Sequence, residues 1–115
     1  MASSFLLQCK ENYAEGITPS GDLSFEKEGY KKLVQFAQEY FIANKYRDFA
    51  GYFLEGQYLV ALWAAHMLIE YGNPDSDLYL TAIKIIKDFS ENPLMPKIAA
   101  EEKSWLIKSN GKLFS

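Results

Sequence analysis

His66 is the only histidine in the chain and stands four residues before Glu70, a spacing that sets two side chains on one helix face. Such a pair can hold a metal ion or act as a base and its orienter. No second His-x-x-x-Glu accompanies it, so a core histidine hydrogen-bonded to a neighbour is the expectation, because buried polar groups are paired. Cys9, the single cysteine, would make a nucleophile with His66 as base, yet nothing around it supports that chemistry. Asn73, Asp75 and Asp77 imitate the first ligands of a calcium loop, whose sixth position calls for glycine and twelfth for glutamate. Leu78 and Lys84 occupy those positions, and helix capping explains the acids. Lys45 and Arg47 lie among Tyr and Phe, as on a base-stacking surface. With 12 basic against 15 acidic residues and a formal charge of -3, no positive excess exists to neutralise a phosphate backbone. Glycine-rich phosphate loops, nucleophile elbows and zinc spacings are missing. No catalytic residue, metal or cofactor is assigned, and nucleic acid is not an expected partner.

Glu102 is the one local inconsistency. It lies three or four residues from Ile98, Ala99, Trp105 and Leu106, in the middle of an apolar helical face. Either it reaches a lysine or solvent at a rim, or it lines a groove and selects a basic or amide-bearing partner.

These residues sit on helices. Ser4 to Glu15 carries Phe5, Leu6, Cys9 and Tyr13 and is stopped by Gly16, before a loop from Ile17 to Asp22 containing Pro19 and Gly21. From Ser24, a candidate cap, to about Ala43, the residues Tyr30, Leu33, Val34, Ala37, Tyr40 and Phe41 repeat with helical period. Tyr46 to Glu55 is a short aromatic helix closed by Gly56. Gln57 to Tyr71 follows, apolar at every position from Tyr58 to Ile69 except His66, and a helix apolar all round is buried all round. Gly72, with a left-handed cap conformation open to it, and Pro74 end it. Asp75 to Asp77 offers caps for a helix to Ser90, with Leu78, Tyr79, Ala82, Ile83, Ile86 and Phe89 as its stripe. Asn92 and Pro93 break the chain, and a last helix runs from about Met95 to Asn110, ended by Gly111. No segment alternates as a strand does.

The length of 115 residues, 49% of them hydrophobic and 16% aromatic, suits one globular domain over residues 1–115 with one core. A lone cysteine excludes an internal disulfide framework and fits a reducing compartment. The start, Met1 to Cys9, has no positive n-region, an apolar run of three residues and a bulky Gln8 before the cysteine, which does not suit a lipoprotein signal. The longest apolar stretch falls short of the roughly 20 residues a bilayer demands. A cytoplasmic chain without a membrane partner is expected.

Tyr52, Gly56, Tyr58, Ala61, Ala65, Leu68 and Pro74 stand close to the spacing of one tetratricopeptide repeat of about 34 residues. The central hairpin thus resembles a degenerate unit of that family, with Asp48 and Phe49 replacing its leucine and small residue and Pro74 one position late. The resemblance implies stacked helical hairpins and an inner surface that holds peptides. Tyr46, Ala50 and Phe53 would turn toward that surface with Arg47 beside them, unless the preceding helix covers it.

The expected fold is all-α, with five or six helices in antiparallel hairpins, either a short α-α superhelix or a compact helical bundle. The expected function is non-catalytic binding of a protein or peptide partner, with Tyr46, Arg47, Phe53 and Glu102 as candidate partner-binding residues. A bundle enclosing a small apolar ligand, or an enzyme with an unrecognised site, is the alternative.

Overall fold

A computed structural model describes residues 4–114, with side chains described through residue 109. Helix α1 spans Ser4–Glu15, and a 3-10 turn at Ser24–Glu26 precedes α2, Glu28–Ile42. Then follow α3 (Tyr46–Ala50), a second 3-10 turn (Gly51–Leu54), α4 (Val60–Tyr71), α5 (Ser76–Ser90) and α6 (Pro96–Phe114). Among the described residues there is no strand. The Cα radius of gyration is 13.2 Å and the principal extents are 34 × 33 × 25 Å. A folded chain of this size has a radius of about 13 Å, so of the two expected architectures the molecule is the compact bundle.

Helix α4 is the axis of the core. Leu62, Trp63, Ala64, Ala65, His66, Met67 and Leu68 are all inaccessible, and seven consecutive buried residues at 3.6 per turn cover every face. Helices α1, α2, α5 and the second 3-10 turn pack around it, and α6 packs on α5. An aromatic layer closes one side: Phe49 meets Phe5, Tyr40, Phe41 and Tyr52 with ring centroids 4.9 to 5.5 Å apart.

The α1–α2 crossing is polar and close. The inward face of α1 is Phe5, Gln8, Cys9 and Asn12, while Tyr13, placed on the apolar stripe by the sequence, is 53% exposed. Gln8 Nε2 donates to Asn12 Oδ1 at 2.9 Å, and Asn12 Nδ2 donates to the Gly29 carbonyl at 3.2 Å. A Cβ at Gly29 would lie 2.0 Å from Asn12 Oδ1, so glycine at this position is a packing requirement.

Several boundaries depart from expectation. Ser24 does not cap α2: Lys27, in extended conformation, is the N-cap of that helix and supplies no side-chain bond. The helix expected over Tyr46 to Glu55 remains α-helical only to Ala50 and tightens into the 3-10 turn from Gly51 onward, consistent with the weak helix propensity of glycine. Helix α4 starts at Val60 because Tyr58 and Leu59 both take positive φ, 54° and 58°. Gly72 is extended, at φ -103°, instead of left-handed; a Cβ there would approach the Leu68 carbonyl to 2.8 Å. Helix α6 passes through Gly111, since one interior glycine costs only about 1 kcal/mol. Gly16 does terminate α1 with φ of +75°, and Asp75 caps α5, its Oδ1 accepting from Leu78 N at 2.9 Å.

Candidate functional site

The two residues singled out separately by the sequence, His66 on α4 and Glu102 on α6, meet in the core. His66 Nε2 lies 2.6 Å from Glu102 Oε1, and both side chains are inaccessible. Glu102 therefore occupies neither rim nor groove, and its assignment as a partner-binding residue is corrected: no partner can touch it in this conformation. Its place on an apolar face is explained by the imidazole opposite, since a charge leaves water only when it is paired. The edge of Trp105 packs on the His66 ring at a centroid distance of 4.7 Å.

Ser20, in the loop between α1 and the first 3-10 turn, places its Oγ 3.2 Å from the same Nε2. Serine, histidine and glutamate are the residue types of a hydrolytic triad, but the geometry is not that of a relay. A relay needs the acid on one ring nitrogen and the hydroxyl on the other. Here both meet Nε2, while Nδ1 and Glu102 Oε2 are buried without partners. The arrangement orients an imidazole and does not activate Ser20.

Glu70, four residues after His66, belongs to a different network. Its carboxylate accepts from the Tyr30 hydroxyl at 3.3 Å and from Trp105 Nε1 at 3.2 Å, and Tyr30 also meets the Tyr71 hydroxyl at 3.1 Å. Burial, with the Glu70 charge and the Tyr71 bond adding to it, pushes the Tyr30 hydroxyl above its usual range. Cys9 is fully buried, and burial pushes its thiol up, the reverse of what a nucleophile needs. Among the described residues no three His, Cys, Asp or Glu side chains group closely enough to hold a metal ion.

On the surface the remaining candidate residues divide between two clefts. Tyr46 and Arg47 line a polar cleft with Asn44, Lys45, Asp48, Asn73 and Asp75. The Tyr46 ring stacks on Phe41 at 5.0 Å and 13°, and its hydroxyl accepts from Asn73 N at 2.9 Å. Helix α2 thus covers one face of the ring, as in the covered-surface alternative, and Tyr46 joins α3 to the α4–α5 connection. Phe53, which one continuous helix would have aligned with Tyr46, instead sits in the second 3-10 turn and lines an apolar groove of about 300 Å³ with Tyr13, Leu54, Tyr58, Phe89 and Met95.

Glu55 and Tyr58 also line a neighbouring cleft of about 400 Å³ with Leu6, Leu7 and Lys10. Tyr58 is central to both. Its ring meets Tyr13 edge-on at 5.7 Å, and Lys10 Nζ lies 5.7 Å above it. Leu54 is 91% exposed, and Leu7 and Tyr13 about half exposed. The sequence reading missed all three. A signal was present in Phe5-Leu6-Leu7, because three consecutive apolar residues on a helix cannot all face one core. No protein-family model, curated protein or solved structure matches this chain.

Proposed function

We propose that this chain is a non-catalytic protein-interaction module that docks an apolar segment of another protein in the groove between α1 and the second 3-10 turn. The observation that carries the reading is the exposure of Leu7, Tyr13 and Leu54 along two adjoining clefts that share Glu55 and Tyr58 as walls. Contiguous apolar surface of this kind marks contact sites, and aromatic side chains supply most binding energy where they are buried by a partner. Lys10 in one cleft and Glu55 where the two adjoin provide charges that fix orientation. Two features support a role without catalysis: the one serine–histidine–glutamate cluster has both partners on a single ring nitrogen, and the thiol is buried. A protonated, buried Cys9 also suits the reducing cytoplasm, and among the described residues no helix is long and apolar enough to cross a membrane.

Site-directed photocrosslinking in the native cell tests the proposal. A benzophenone side chain at Leu54 or Leu7 is expected to give a discrete adduct with one protein, absent when the same group replaces exposed Lys32 on α2. Equal adducts at all three positions, or none at the groove positions, would refute it.

A further inference from the structure

We propose that the loop of residues 17–24 is a lid that opens locally over the His66–Glu102 pair, without unfolding of the bundle. The loop lies on the pair itself, since Ser20 Oγ contacts His66 Nε2. Its ties to the helices beneath are sparse. Thr18 Oγ1 donates to Glu101 Oε1 at 2.7 Å, and Ser20 meets His66. The loop's backbone bonds run to itself and its chain neighbours: Ile17 N to the Asn12 carbonyl, Gly21 N to Thr18, Ser24 N to Gly21 and Glu26 N to Leu23. None reaches α4 or α6. Ile17, Pro19 and Ser24 are the loop's buried anchors, while Leu23 near the far end is half exposed and holds a left-handed conformation with φ of 59°, a state unfavourable for leucine.

The force for opening lies underneath. His66 Nδ1 and Glu102 Oε2 are buried with no hydrogen-bond partner among the protein's own groups, and buried polar atoms left so are rare in native proteins. Water admitted by a displaced loop satisfies both, while the bonds lost from Thr18 and Ser20 are replaced by bonds to solvent. The closed loop and the hydrated pair are therefore competing arrangements of one site, and local openings of this kind occur well below the free energy of global unfolding.

Because the chain has one histidine, acylation by diethyl pyrocarbonate, read by mass spectrometry on the peptide containing residue 66, measures the opening directly. In the intact native chain, His66 is expected to react faster than global unfolding permits, at a rate nearly independent of low urea concentrations. In Thr18→Val with Ser20→Ala the rate should rise roughly tenfold, the effect of removing two ordinary hydrogen bonds, and stay nearly independent of low urea concentrations, while the urea midpoint falls by the matching increment of about 1.4 kcal/mol in stability. A rate that tracks global unfolding in its urea dependence, in the wild type or in the double variant, or a double variant whose rate does not rise, would overturn the lid. Amide hydrogen exchange of residues 18–24 against those of α4 supplies a second readout that does not depend on the variants folding.

Discussion

Breaking the His66–Glu102 contact from each side should have unequal consequences. His66→Leu leaves the Glu102 carboxyl with no exposure and without its imidazole partner, a situation that costs about 3–5 kcal/mol. Glu102→Met leaves a neutral imidazole that keeps Ser20 as partner, so the loss is nearer 1–3 kcal/mol. The double variant removes both members of the pair together. The native pair already leaves Nδ1 and Oε2 unbonded, so apolar side chains of similar volume forfeit one strong bond and remove two orphaned atoms. Its stability is expected within about 1.5 kcal/mol of wild type, since apolar replacement of buried ion pairs is often neutral or stabilising. For this chain a loss of about 4 kcal/mol lowers the melting temperature by roughly 15 °C, given an unfolding entropy near 2 cal/mol/K per residue. Urea titrations followed by circular dichroism at pH 7, with a common slope imposed only if the slopes agree, give the four free energies. If the two single losses simply add in the double variant, the residues are not coupled and the contact between α4 and α6 is not energetically what its geometry implies.

Cys9 gives a pH prediction. The native thiol stays protonated where the unfolded thiol, near its ordinary value of about 8.5, ionises; stability is therefore intact below that pH and falls above it. The slope approaches about 1.4 kcal/mol per pH unit, and Cys9→Ala should flatten it between roughly pH 8.5 and 10, whatever its effect on the plateau; an unchanged slope would contradict burial as the cause. Tyr46→Ala, which removes the stack on Phe41 and the acceptor for Asn73 N, should destabilise by about 2 kcal/mol in thermal melts, whereas Leu54→Ala should leave the melt unchanged. Asp75→Ala should cost about 1 kcal/mol by urea titration through loss of the α5 cap. Gly29→Ala should cost more than 2 kcal/mol, beyond the usual helix-interior preference for alanine, because its methyl group collides with Asn12.

What the sequence made legible was local. Helical period, the all-round apolar character of α4 and the Asp75 cap depend on neighbours within a turn or two, and each appears as expected. His66 was readable as a bonded core residue and Glu102 as an anomaly. Their union was not, because a separation of 36 positions carries no spacing rule and the pairing exists only where α6 comes to rest beside α4. The left-handed Tyr58 and Leu59 were illegible for another reason: neither residue type favours that conformation, so it is imposed by the packing of the segment entering α4. Gly51 offered a usable warning that the aromatic helix would not stay regular. Phe53 was read onto a helical face that the tightening at Gly51 abolishes.

The two tryptophans give this molecule a pair of optical reporters with separate subjects. Trp63 is wholly enclosed with its ring against Tyr30, while Trp105 bridges helices, its indole N–H on Glu70 and its ring edge-on to His66. Detachment of α6 from α4 alters the surroundings of the second indole and leaves the first in place. A Trp105→Phe chain thus emits only from the centre of the bundle, and a Trp63→Phe chain only from the seam where the last helix is sewn on. The difference between their transition curves reads whether that helix leaves ahead of the rest.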